Sequence, residues 1–245
     1  MTKNIDGQWR EWIRHNVSRG CSKQELLDIL LREGFEREEA YRELHPMQIP
    51  GLSRLDSPRA ELYIAEGFLQ ESECRHLMDL MKDHLRQSTI TVQDEPDRYF
   101  RKSKTCDLGL LRDPVAEGID ARICQALQIS PTLAEPTQAQ HYDVSDEFKP
   151  HTDYFEPYEL ERCSTETLGQ RSWTFMIYLN EPEAGGETAF PNLGLSVQPK
   201  PGRAVIWNNL HLDGRTNYDT LHHGTPVKAG YKAIITKWFR HPRGS

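Results

Sequence analysis

The apolar residues at the start of the chain recur at helical spacing. Trp9, Trp12, Ile13 and Val17 fall at i, i+3, i+4 and i+8 and make one stripe. Leu26, Leu27, Leu30 and Leu31 repeat the pattern behind Ser22, which heads a capping box with Glu25. Gly34 supplies a helix stop, Phe35 leads into a third short helix over about 36–44, and Pro46 ends it. The next dozen residues are rich in Pro, Gly and Ser and read as a linker. Leu62-Tyr63-Ile64 is a candidate strand. A helix over 71–85 places Cys74, Leu77, Met78, Met81 and Leu85 on one face. Residues 87–105 are polar and read as a loop carrying Arg101 and Ser103. Asp113-Pro114 is a helix start, with Asp as N-cap and Pro at the first helical position. Val115, Ile119, Ile123 and Leu127 then repeat every four residues and suit a helix bracing a sheet.

From Gln138 the period shortens to that of strands. Strands are expected over 138–144, 148–153, 172–180, 187–190, 195–199, 204–208, 221–227 and 232–239. Turn signals separate them at Glu183-Ala184-Gly185-Gly186, Pro201-Gly202 and Ala229-Gly230. So many short strands argue for a sandwich or jelly roll, in a chain whose overall class is α+β. The charged stretch 154–171 reads as a loop and a candidate lid.

The bulk numbers narrow the function classes. A length of 245 residues allows one large domain, or one with a small module. A net charge of −7 argues against a surface that tracks nucleic-acid phosphates. No apolar run approaches the roughly 20 residues of a membrane span, and the N-terminus lacks the apolar core of an export leader. The five cysteines are scattered without a CxxC, as free thiols in a reducing compartment would be. A cytoplasmic protein is the expectation.

The chemistry gathers around His151-Thr152-Asp153. On a strand, residues i and i+2 share a face, so an imidazole and a carboxylate can meet one cation. A lone H-x-D also arises as a structural pair, and two ligands hold a metal loosely. His222, at the head of a late strand, offers the third. Two His and one carboxylate form the facial set of non-haem Fe(II) oxygenases. Activating O2 demands more electrons than the metal holds, and a 2-oxo acid that chelates it can supply them. Its distal carboxylate then needs a cation. Lys232 suits this, flanked by Tyr231, Ala233, Ile234 and Ile235, since a buried lysine needs a partner. Tyr142 and Thr188 could each add a hydroxyl. Asp143 or Asp219 is a candidate to orient a ligand imidazole, against the plainer reading of solvated loop acids.

His151-x-Asp153, His222-x-x-x-Pro226-Val227 and Lys232 resemble the prolyl 4-hydroxylase-like 2-oxoglutarate/Fe(II) dioxygenases. Gln170-Arg171, Tyr178-Leu179-Asn180, Gly185-Gly186-Glu187-Thr188-x-Phe190-Pro191 and Thr236-Lys237-Trp238 match in order and spacing, over roughly residues 60–240. The resemblance implies a double-stranded β-helix (jelly-roll) core at about 136–240 within a dioxygenase domain over 59–245. It implies Fe(II) held by His151, Asp153 and His222, 2-oxoglutarate contacted by Lys232, Tyr142 and Thr188, and Arg171 at a substrate-contacting, catalytic position. Ascorbate is the accessory cofactor it suggests. Two departures stand out: Ser145 where the family often has glycine, and Phe148 where an aromatic with a hydroxyl is frequent. In the His222-His223 doublet, spacing to Pro226 and Lys232 favours His222.

Residues 1–46 are similar to the three-helix ubiquitin-associated (UBA-like) fold, in a helix, a Gly34-Phe35 turn and a helix containing Ala40. That implies a module docking a protein partner; the plainer alternative is a helical extension. With 47–58 as linker, the expected function is hydroxylation of a prolyl residue in a protein or peptide, with O2 and 2-oxoglutarate converted to succinate and CO2. Hydroxylation of a free amino acid or other small molecule is the alternative, and an idle metal-binding module the third reading.

Overall fold

The computed structural model describes residues 3–47, 49–55, 57–88, 102–165, 168–211 and 213–242; Arg101 lies outside them. The chain separates into two compact units, residues 1–48 and 49–245.

The first unit holds three helices, α1 (Gly7–Ser18), α2 (Lys23–Arg32) and α3 (Arg37–Leu44). The Asp6 carboxylate accepts from the backbone N–H groups of Gln8 and Trp9 and starts α1. Ser22 stands at the head of α2, but its side chain makes no capping hydrogen bond, so the expected box with Glu25 does not form. Ile5, Ile13, Leu26, Leu27, Leu30, Phe35, Ala40 and Leu44 make one buried cluster, with Trp9 and Trp12 packed on it. Gly34, at φ 89°, takes the left-handed turn that brings Phe35 into this core.

The second unit begins with β1 (Leu52–Arg54), β2 (Leu62–Ala65), α4 (Glu71–Lys82), β3 (Arg86–Gln87), β4 (Lys104–Cys106) and α5 (Pro114–Leu127). β5 (Gln138–Tyr142), β6 (Phe148–His151), α6 (Pro157–Cys163), β7 (Leu168–Tyr178), β8 (Ala184–Gly185) and β9 (Thr188–Phe190) follow. β10 (Leu195–Val197), β11 (Ala204–Asn208), β12 (His222–Gly224), β13 (Val227–Ala229) and β14 (Lys232–Pro242) complete it. The order β1-β2-β11-β7-β14-β5-β4-β3 makes an eight-stranded sheet, and β10-β9-β12-β6 a four-stranded one, with β13-β8 a short extra pair. The ladders are antiparallel. A buried cluster drawn from both larger sheets, including Tyr142, Met176, Tyr178, Phe190, Val205, Trp207 and Ile234, forms the core.

β14 shows why its sequence does not alternate visibly. Lys232, Ile234, Thr236 and Trp238 face the cavity of the site, and the residues between them face the other way. Both faces are buried, so polarity cannot mark them. On the outer face Lys237 donates to Asp120 of α5 at 2.6 Å. Asp113 caps α5 by accepting from Val115 and Ala116, as its Asp-Pro start predicts.

The structure departs from the sequence reading in several places. Residues 52–54, inside the expected linker, pair with β2. The expected 154–171 loop contains α6, started by a capping box between Glu156 and Glu159 with Pro157 at its first position. The strand expected over 221–227 is split into β12 and β13, because Pro226 lacks the N–H that a continuous ladder needs. Part of the polar stretch 87–105 enters β4; Thr105 in that strand and Ser103 just before it are buried, and Ser88 reaches both hydroxyls. Among the described residues, no helix is long and apolar enough to cross a membrane.

Candidate active site

β6 and β12 lie side by side in the smaller sheet, with His151 registered directly against His222. That pairing brings two imidazoles from distant parts of the chain together. β6 ends at His151, so Asp153 does not share its strand face as expected; it lies just beyond, where the backbone bends. The bend still delivers its carboxylate. Asp153 Oδ1 is 3.8 Å from His151 Nε2, and Oδ2 is 3.9 Å from His222 Nε2. One ligand atom from each of the three residues lies within 4.8 Å of the others.

Both rings are held alike. His151 Nδ1 sits 2.8 Å from the Lys149 carbonyl oxygen, and His222 Nδ1 sits 3.0 Å from that of Thr220. A carbonyl only accepts, so each ring carries a proton on Nδ1 and points Nε2 toward the partner ligands. Backbone thus does what Asp143 or Asp219 was a candidate to do. Asp143 pairs with Lys104 and His141, and Asp219 with Arg59. His223, the other half of the doublet, registers against Ala189. Asp153 is buried, which pushes its carboxyl up. His222, His151, Arg171 and the Thr174 hydroxyl outweigh that and hold it below the ordinary carboxylate range.

The triad lines an open-mouthed cavity of about 420 Å³, a figure that includes the solvent at its mouth. Tyr142, Thr188 and Lys232 line the same cavity. Lys232 is 1% exposed, a buried cation that demands compensation. Its Nζ donates to the Gly186 carbonyl at 3.1 Å and lies 4.4 Å from the centre of the Tyr142 ring. Burial pushes its pKa down to about 8, against the opposing pull of Glu187. Gly224 leaves room for this ammonium, since a Cβ there would stand 3.1 Å from Nζ. Thr188 Oγ1 accepts from Tyr178 Oη at 2.6 Å, and its own proton meets only the weak acceptor Met176 Sδ at 3.8 Å.

Arg171 is held by neighbouring protein groups. It does not line the cavity. Its fork clasps Glu135 at 2.8 and 2.7 Å, its guanidinium lies over Phe155 and Trp238, and Nη1 approaches the Asp153 carbonyl oxygen at 3.4 Å. Arg240 shares the Glu135 carboxylate at 3.2 Å.

Sequence reasoning missed Glu135, Trp207 and Thr174. The only sequence signal for Trp207 and Thr174 was strand periodicity, which puts Trp207 with Val205 and Thr174 with Met176 on the cavity side. Glu135 lies just before the first strand of the core and carries no motif.

Residues 137–240 match the model of the 2OG-Fe(II) oxygenase superfamily. The chain is 33% identical over 192 residues to human prolyl 4-hydroxylase subunit alpha-1, covering 77% of this chain and 35% of that protein. It is 32% identical over 205 residues to probable prolyl 4-hydroxylase 10 of Arabidopsis thaliana, covering 75% of this chain and 69% of the relative. The chain belongs to the 2OG-Fe(II) oxygenase superfamily, in its prolyl 4-hydroxylase-like family. It spans about a third of the human subunit's length. Among solved structures it is similar to the viral collagen prolyl hydroxylase of Paramecium bursaria Chlorella virus-1 in its 2OG complex. That match has 26% identity and a TM-score of 0.57 and covers 73% of this chain and 95% of the viral one.

Membership of this superfamily implies Fe(II) and 2-oxoglutarate, and the residues present fit both. Two imidazoles and a carboxylate are a suitable donor set for a divalent transition metal. The buried Lys232 ammonium has three donors, and the contacts named above are one carbonyl and a ring face, which leaves capacity for an anion.

Proposed function

We propose that this protein is a 2-oxoglutarate- and Fe(II)-dependent dioxygenase that hydroxylates a prolyl residue in a protein or peptide. The observation that carries the reading is the meeting of His151, Asp153, His222 and the buried Lys232 in one cavity.

His151 and His222 would bind the metal through Nε2, and Asp153 through a carboxylate oxygen. When bound, the metal and co-substrate supply the oxidising chemistry that inserts one oxygen atom into a substrate C–H bond and turns 2-oxoglutarate into succinate and CO2. Lys232 would receive the distal carboxylate of 2-oxoglutarate, with Tyr142 and Thr188 beside it. The apolar walls Phe148, Met176, Trp207 and Ile234 exclude water from that contact and strengthen it. Arg171 steadies the backbone of Asp153 and is proposed to contact the substrate, the position the resemblance implies for it. Ascorbate is proposed as the accessory reductant.

The two facing sheets are read as the halves of a double-stranded β-helix. The three-helix unit, which has its own buried core, is read as a UBA-like module that docks a protein partner. Acidic charge and five unpaired cysteines support a cytoplasmic setting.

The test is direct. Purified protein with Fe(II), 2-oxoglutarate, ascorbate and a pool of proline-containing peptides should yield peptides heavier by one oxygen atom, with hydroxyproline found on hydrolysis. Modification of free amino acids alone would move the substrate class to small molecules.

A further inference from the structure

Asn209 is fully buried, yet its side-chain oxygen Oδ1 has no hydrogen-bond partner among the described residues. Such an unmet acceptor weakens a fold, and an apolar side chain of similar size would be the better choice for stability alone. What the amide does provide is a donor. Asn209 Nδ2 donates to Thr174 Oγ1 at 2.9 Å, and Thr174 Oγ1 donates to Asp153 Oδ2 at 2.7 Å. All three side chains are buried, so solvent does not compete.

The direction of this chain is fixed by its ends. A carboxylate only accepts, and the amide nitrogen only donates. The Thr174 hydroxyl has a single proton, and because Asn209 occupies one of its lone pairs, that proton is committed to Asp153. The carboxylate torsion of an aspartate is broad and roughly two-fold, so by itself the group can flip or present both oxygens. Here Oδ2 accepts from Thr174 and lies 3.9 Å from His222 Nε2, while Oδ1 lies 3.8 Å from His151 Nε2, so the bond fixes the torsion that turns both oxygens toward the imidazoles.

We propose that Asn209 and Thr174 form a positioning relay that fixes the torsion of the Asp153 carboxylate and so presents it, together with His151 and His222, to the metal. The inference rests on the metal-site reading above and names residues that act through Asp153 without touching metal or substrate. Removing the relay frees the carboxylate and weakens metal binding by about 10- to 100-fold, the range found for groups that orient metal ligands.

The test is Co(II) titration followed by visible absorption, with thermal unfolding of the metal-free proteins alongside. Wild type, Thr174→Val, Thr174→Ser, Asn209→Leu and Asp153→Ala are compared. The relay predicts that Thr174→Val and Asn209→Leu bind Co(II) at least tenfold more weakly with an altered visible band. Asn209→Leu should unfold no lower than wild type, and Thr174→Ser, which keeps the hydroxyl, should restore affinity. Wild-type affinity and band in Thr174→Val and Asn209→Leu would overturn the relay. Weakened Co(II) binding that tracks a matching loss of thermal stability in both variants would overturn it too, assigning the pair to packing. If wild type itself binds no better than Asp153→Ala, the metal-site reading fails, and the relay with it.

Discussion

Tyr142 and Lys232 stand directly opposite each other on β5 and β14, and the lysine ammonium lies 4.4 Å from the centre of the tyrosine ring. This pairing holds a cation in the core by giving it a ring face and one carbonyl in place of water. The arrangement suits an anion that arrives later.

The first prediction concerns that anion. The free protein gives up the Lys232 proton at about 8. A bound dicarboxylate keeps the proton on the amine, so the complex carries more protons than the free protein above that pH. The affinity for 2-oxoglutarate should therefore fall as pH rises through about 8. Lys232→Met should weaken binding at neutral pH by about 100-fold, in keeping with loss of one partner of a buried charge pair, and should abolish the pH dependence. Without ligand the sign reverses. The folded pKa lies below the unfolded value of 10.5, so the buried charge destabilises below about 8 and the penalty is relieved between about 8 and 10.5. At neutral pH that penalty is on the order of 3 kcal/mol, so ligand-free Lys232→Met should melt higher than wild type. Calorimetric titration and thermal unfolding across this pH range check both.

The histidine doublet gives a second prediction. His222 faces His151, whereas His223 registers with Ala189 and has no place in the triad. His222→Ala and Asp153→Ala should lose tight divalent-metal binding, and His223→Ala should bind within about twofold of wild type, as befits a site outside the triad. Isothermal titration with Mn(II) separates them.

Glu135 carries a third. Burial pushes its carboxyl up, but Arg171 and Arg240 outweigh this and hold it below the usual carboxylate value of 4.5. A lowered folded pKa means the contribution is fully present above 4.5 and is lost as pH falls below it. Glu135→Ala leaves two buried guanidinium groups without their acid and should destabilise by about 3–5 kcal/mol. Glu135→Gln should lose less at neutral pH and show a flatter acid limb. Urea unfolding at neutral and acidic pH reads out both.

A fourth prediction comes from Ser145. It sits at φ 71°, in the left-handed region that glycine enters freely. Its N–H donates to the Val227 carbonyl at 2.8 Å, which pins the turn between β5 and β6. Ser145→Gly should relieve the strain and stabilise by about 0.5–1 kcal/mol in chemical denaturation, with metal affinity unchanged.

The triad and Lys232 were legible because their chemistry is local: an imidazole two residues from a carboxylate, and a lysine in an apolar run. The helix start at Asp113, and β11, were legible from a cap and an apolar run, whereas the Asp6 cap of α1 was not read. The bend at Asp153 was not, since a strand and a strand end give the same spacing. Helix α6 was hidden in charged residues because its start depends on a Glu156–Glu159 box and Pro157, with no apolar stripe to mark it. The engagement of Arg171 with Glu135 joins residues 36 positions apart, and no local pattern marks such a pairing. The Asn209–Thr174–Asp153 chain crosses from β7 to the segment after β11, so it exists only once the sheet is assembled.

The measurement that tests the central claim most directly is succinate formation from 2-oxoglutarate under Fe(II), ascorbate and O2, with and without proline-containing peptides. The account predicts turnover that rises with peptide and is lost in both Asp153→Ala and Lys232→Ala. Absence of turnover with every peptide pool, in protein shown to hold Fe(II), would contradict it.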